Sequence, residues 1–116
     1  MRSTWHKVPI LKRITDRCSL HSDNSCVITD RALNSAGYPM IKVNGRSELV
    51  HRVVYSLYTG VILSTPYYHV SHLCHNKICV NFDHLVYEPS CINMQRKQCV
   101  SQGKCVNHGK YETCLL

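Results

Sequence analysis

The sequence predicts a small α+β domain stabilised by zinc, with a β-hairpin and a helix upstream of the metal-binding part. Three observations predict it. Strand and helix signals run β-β-α twice in 116 residues. Eight Cys and eight His are present, most of them in two clusters in the C-terminal half. The 44% hydrophobic content is ordinary for a globular chain, so wholesale disorder is excluded. A core of this size is marginal without a metal, disulfides or a partner.

Taken in order, residues 1–25 are expected as a basic N-terminal arm and loop, and residues 26–116 as the folded domain. Residues 18–36 are rich in Ser, Asp and Asn and read as loop around Cys18 and Cys26. Gly37–Val43 alternates toward its end like a half-buried strand. Asn44-Gly45 follows, a strong hairpin signal because both positions of a type I′ turn need φ > 0. Arg46–His51 is the return strand. Val50, Val53, Val54, Leu57 and Tyr58 repeat with helical spacing, and Thr59-Gly60 stops that helix. Val61-Ile62-Leu63 and Tyr67–His72 are β-rich segments on either side of Pro66. Residues 73–84 hold a dense Cys/His/Asn cluster. Leu85-Val86-Tyr87 is a short strand, and Glu88-Pro89-Ser90 opens a helix carrying Ile92, Asn93, Arg96 and Lys97. Residues 99–114 read as loop.

Several function classes are excluded by composition. No run approaches ~18 consecutive apolar residues, so no transmembrane helix is expected. Met1–Arg13 has no long apolar segment, which argues against a secretory signal. The expected location is therefore intracellular, in a reducing compartment such as nucleus or cytoplasm. Fourteen Lys and Arg against seven Asp and Glu give a net charge of +7, which points to a polyanion partner.

Disulfides give no reason for His to recur at fixed offsets from Cys, whereas zinc does, because thiolate and imidazole are its usual ligands. Cys74-x4-Cys79-x4-His84 supplies three ligands, and the fourth must come from Cys26 or Cys18. Cys99-x5-Cys105-x2-His108-x5-Cys114 is a complete Cys₃His set by itself. The competing reading is a disulfide-bonded secreted protein, which free-thiol counting separates from zinc.

His72 ends an apolar strand two residues before Cys74, so a metal-pinned loop would hold its imidazole rigidly. Asn93 sits one turn into the helix that follows His84. An amide oxygen is a hard ligand suited to Mg²⁺, which takes few protein ligands and keeps most of its waters.

Ser71-His72-Leu73-Cys74-His75-Asn76-Lys77-Ile78-Cys79-Val80-Asn81-Phe82-Asp83-His84-Leu85, with Asn93 beyond it, closely resembles the His-Cys box homing endonucleases and their HNH relatives. These are His-Me finger nucleases, built on a ββα-metal fold. Gly37-Tyr38, Asn44-Gly45 and Val50–Tyr55 resemble the segment that precedes the active site in that group. The resemblance covers roughly residues 26–114. It implies a metal-dependent DNA endonuclease, in which His72 is the general base and Asn93 the ligand of a catalytic Mg²⁺. It further implies Cys26, Cys74, Cys79 and His84 around one structural zinc, and Cys99, Cys105, His108 and Cys114 around a second. Cys26 is preferred to Cys18 because its distance to Asn44-Gly45 fits the family better. Arg46 falls near a position where the family places a phosphate-contacting arginine.

Substrate grip is expected from Lys42, Arg46, Arg52, Lys77, Arg96 and Lys97, with the Lys42–Arg46 hairpin as a candidate for the major groove. The sequence departs from the homing enzymes in its short N-terminal region and in stopping two residues after Cys114. Both departures argue against a long palindromic target and a tail-exchanged dimer, although a homodimer stays open. The alternative function is a non-catalytic DNA-binding module. A Smad DNA-binding domain has a similar zinc-held core with the Cys79-Val80-Asn81-x-x-His84 pattern and performs no catalysis.

Overall fold

The structure is a computed structural model, and it describes residues 10–20, 25–63 and 65–115. Residues 1–9, the start of the expected N-terminal arm, lie outside the described residues, as do 21–24, 64 and 116. The described elements are three two-stranded antiparallel sheets and two long helices. They run β1 (Cys18–Leu20), β2 (Val27–Thr29), β3 (Met40–Val43), β4 (Arg46–Leu49), α1 (Val50–Thr59), β5 (Tyr68–His72), a 3-10 turn (Phe82–His84), β6 (Leu85–Pro89) and α2 (Ser90–Gln102).

The expected hairpin is β3–β4, paired from Met40↔Leu49 to Val43↔Arg46. Asn44 and Gly45 close it at φ of 53° and 80°, as the primed turn requires. The chain passes from β4 into α1 without a loop. α1 buries Val50 and Val54 and ends on Gly60, whose left-handed φ of 73° lets its N–H reach the Ser56 carbonyl. Tyr58, expected on the buried face, is 57% exposed.

β5 and β6 pair from Tyr68↔Pro89 to His72↔Leu85 and form the centre of the molecule. Alternation along the strands gives the sheet two faces. Val70, Leu85 and Tyr87 face the core that Ile14, Ile41, Val50, Val54 and Val80 complete. His69, Ser71 and Glu88 face α2, where they meet Asn93 and Arg96. The expected ββα unit is therefore β5–β6–α2, with the Cys/His loop inserted between its strands.

Three segments differ from the sequence reading. Residues 10–15 are helical and Ile14 is 1% exposed in the core, so this part of the expected arm contributes to folding. Burying such a side chain is worth about 1.5–3 kcal/mol. Residues 18–36, expected as loop, contain the β1–β2 pair, held by Cys18↔Thr29 and Leu20↔Val27. Residues 61–63, expected as β-rich, form no strand, and Ile62 is 83% exposed. Pairing partners were lacking there, and β propensity without a neighbouring strand fixes nothing.

Candidate metal centres and active-site cleft

The Cys/His loop is fastened at both ends before any metal is considered. Leu73 N–H donates to the His84 carbonyl at 2.7 Å, and Val80 N–H to Val27 at 2.7 Å. The second contact, with the Ile28↔Cys79 bridge, sets β2 against the loop and delivers Cys26 to it. The ligand atoms of Cys26, Cys74, Cys79 and His84 lie within 4.8 Å of one another. His84 Nδ1 is 3.6 Å from Cys26 Sγ and 3.5 Å from Cys79 Sγ. Tetrahedral Zn–S and Zn–N bonds of ordinary length put S and N about 3.6 Å apart. Cys18 stands outside this group, its thiol donating to the Ile14 carbonyl at 3.0 Å.

Cys99, Cys105, His108 and Cys114 form a second group with the same spacing. His108 Nε2 is 3.4 Å from Cys99 Sγ and 3.5 Å from Cys114 Sγ. Its Nδ1 lies 3.1 Å from Gln95 Oε1, and such a partner fixes the tautomer in which Nε2 ligates. α2 runs to Gln102, three residues beyond Cys99, so this ligand sits on the helix and not in the expected loop.

None of the eight cysteines is in a disulfide. The thiols divide their protons unevenly in a way that suits a cation. A hydrogen bond with Cys74 holds Cys79 down to about 4, while the same bond pushes Cys74 up. Burial lifts Cys114 to about 11. A dication that accepts all three thiolates of a set relieves this competition.

Between the two groups lies a cleft of about 410 Å³ lined by Tyr38, His72, His75, Lys77, Asn93 and Lys97, among others. His72, from the end of β5, and Asn93, from α2, thus line the same cleft. The His72 ring stacks on Tyr38, at 6.0 Å between centroids, and lies tilted against His51, at 4.5 Å. Burial lowers His72 to about 4, against the opposing pull of the Cys79 charge and backbone. Nε2 is buried without a hydrogen-bond partner among the described residues. A ring kept neutral by burial, with its proton on Nδ1, would leave Nε2 as the acceptor. Burial likewise lowers His51 to about 3. Asn93 Oδ1 accepts from Ser71 Oγ at 2.8 Å, leaving its second lone pair available. An orphaned imidazole nitrogen and a held amide oxygen in one cleft fit a water and a divalent cation.

The expected basic residues separate into distinct roles. Lys97 is exposed at the cleft, and Lys42 and Arg46 are exposed on the hairpin. Lys77 is pinned at the cleft wall, donating to the Ala36 carbonyl at 2.9 Å and lying 5.2 Å from the Tyr38 ring centre. Arg52 Nη2 donates to the Leu63 carbonyl, in a groove that shares no residue with the cleft. Arg96, expected on the DNA-gripping surface, lines the cleft but is 2% exposed and paired to Glu88 through two bonds of 2.6 and 2.8 Å, so its charge is already committed.

Sequence reasoning missed Glu88, His51, Tyr38, His69 and Ser71. Glu88 carried one usable signal, being a lone acid in an apolar strand. The others read as ordinary strand or helix residues until the fold brings Tyr38 and His51 against His72, and His69 and Ser71 against Asn93.

Among the described residues no helix is long and apolar enough to cross a membrane. No curated protein and no solved structure matches the chain. One family model, described as the zinc-binding loop region of homing endonuclease, matches residues 21–115. With that match spanning both Cys/His groups and the cleft between them, the chain belongs to the homing-endonuclease zinc-binding family of His-Me finger proteins.

Proposed function

We propose that this chain is a metal-dependent DNA endonuclease that hydrolyses phosphodiester bonds. The observation that carries the reading is the shared cleft: it is lined by His72, whose Nε2 is unpaired among the described residues, and by Asn93, whose oxygen keeps a free lone pair.

In this reading His72 Nε2 takes a proton from a water placed in line with the scissile P–O bond. The oxygen of that water bonds to phosphorus and the bond to the 3′ oxygen breaks, leaving a 5′-phosphate and, after protonation by solvent, a 3′-hydroxyl. General-base action of this kind contributes about 10²–10⁴-fold. Ring contacts with His51 and Tyr38 keep the base from rotating. Asn93 Oδ1 is the protein ligand for Mg²⁺, which supplies neutralisation of charge on the phosphate and on the leaving oxygen. Lys77 and Lys97 line the cleft where a phosphate backbone would lie, and Lys42 and Arg46 extend the positive surface along the hairpin.

The two Cys₃His groups are structural zinc sites: all four positions are filled by protein, so none is open to substrate. They stabilise a fold whose core is small. Six free thiolates are best kept in a reducing compartment, which supports an intracellular setting.

The test is cleavage of supercoiled plasmid with Mg²⁺ and with EDTA, for the zinc-loaded protein and its Asn93→Ala variant. Nicks that need Mg²⁺, are lost in the variant and are sealed by DNA ligase support the reading. DNA binding without nicking under every condition supports a non-catalytic module.

A further inference from the structure

β5 presents two side chains to α2, and both touch Asn93. Ser71 Oγ donates to Asn93 Oδ1 at 2.8 Å, and Asn93 Nδ2 stands 3.2 Å from His69 Nδ1. His69 and Ser71 are two residues apart, so they project from the same face of the strand.

A carboxamide has an oxygen end and a nitrogen end of nearly equal shape, and its partners decide which way round it sits. Ser71 does not decide, because a hydroxyl can donate to the oxygen or accept from the nitrogen. His69 decides in the tautomer that carries its ring proton on Nε2: the Nδ1 lone pair then takes only the Nδ2–H. Once Nδ2 is committed to His69, Oδ1 stays on the Ser71 side with one lone pair left for the cleft. Turned the other way, the side chain would offer N–H donors to a cation and repel it.

We propose that His69 is a positioning residue that locks the Asn93 carboxamide with its oxygen presented to the catalytic divalent cation. His69 is exposed and does not line the cleft, so it contacts neither the phosphate nor the ion and acts only through Asn93. Its neighbours on this face are already committed: Glu88, its register partner on β6, is bound by Arg96. Nothing else among the described residues is shown accepting from Asn93 Nδ2. This inference rests on the nuclease reading above.

Mn²⁺ is the probe, because free Mn²⁺ is counted directly by electron paramagnetic resonance. The zinc-loaded protein is bound to random-sequence duplex DNA in a His72→Ala background, so that nothing is cut. Asn93→Ala in the same background defines the Mn²⁺ held by DNA alone. Loss of one hydrogen bond that holds the competent orientation weakens binding by about three- to tenfold, which is the loss expected for His69→Leu. His69→Gln, whose Oε1 accepts the same bond, is expected within about twofold of the parent. Zinc content and DNA affinity stay constant across the series, since His69 is a zinc ligand in neither group.

Unchanged Mn²⁺ affinity in His69→Leu overturns the inference and leaves the nuclease reading standing, provided Asn93→Ala still abolishes the site. Equal loss in Leu and Gln overturns it too, because the accepting atom is then not what matters. If the parent holds no Mn²⁺ beyond the Asn93→Ala level and the unmodified protein cuts no DNA, the nuclease reading falls, and this inference with it.

Discussion

Arg96 and Glu88 form a buried ion pair that joins the central sheet to the second metal group. Arg96 Nε lies 2.6 Å and Nη2 2.8 Å from the two carboxylate oxygens, with side chains 2% and 0% exposed. The remaining Nη1 reaches Cys114 Sγ at 3.2 Å. One guanidinium thus spans β6, its own helix α2 and a metal-binding cysteine. Glu88→Ala strips Arg96 of its counter-charge where water cannot replace it, and breaking a buried pair in this way costs about 3–5 kcal/mol. Urea unfolding at fixed zinc is expected to show that loss, and zinc titration a weaker second site.

The two metal groups predict different fates for two neighbouring cysteines. Cys26→Ser removes a ligand of the first group, whereas Cys18→Ser removes only a thiol bonded to the Ile14 carbonyl. Metal analysis is expected to find about one zinc per chain in the first variant and about two in the second. A strong chelator is expected to unfold the unmodified protein, read as loss of the helical circular-dichroism signal.

His51 makes stability depend on pH in a stated direction. Folding lowers its pKa from 6.5 to about 3, chiefly by burial. Below its unfolded value the unfolded chain binds a proton that the folded chain refuses. Its contribution is therefore intact above about pH 6.5 and is lost as pH falls toward about 3, at about 1.4 kcal/mol per pH unit. His51→Phe keeps a ring in the stack and removes the titration. Between about pH 6 and about pH 5, the unmodified protein is expected to lose roughly 1 kcal/mol more than His51→Phe at equal zinc content. Parallel stability profiles would show that His51 is not held neutral.

The basic residues divide by exposure, and salt dependence of DNA binding reads the division. Lys97→Ala and Arg46→Ala remove exposed charges at the cleft and hairpin. Each is expected to reduce the slope of log affinity against log salt by about 1 without unfolding the protein. Arg52→Ala, which loses a bond to the Leu63 carbonyl in a separate groove, is expected to leave that slope unchanged.

Much of the architecture is readable from local signals. Asn44-Gly45 specifies its turn through backbone sterics, and the α1 periodicity with Gly60 specifies a helix and its end. The Cys/His offsets mark both metal groups because tetrahedral ligation constrains spacing. What is not readable comes from tertiary structure. Arg96 looks like one more surface charge until β6 places Glu88 beneath it. α2 was expected to give way to loop before Cys99, but a ligand can sit on a helix as well as in a loop, so the spacing does not locate the end. Ile14 lies in a basic stretch, and only packing against Ile41 and Val54 makes it core. The orientation of Asn93 depends on strand neighbours twenty-two and twenty-four residues away, beyond the reach of any local pattern.

The most direct measurement compares plasmid nicking by the unmodified protein and His72→Ala in Mg²⁺, with zinc content and DNA binding determined on the same samples. Loss of the general base is expected to slow nicking by about a hundredfold or more while both zinc ions and DNA affinity are kept. Equal nicking by the two proteins would contradict the account, because the cleft would then be cutting without its imidazole.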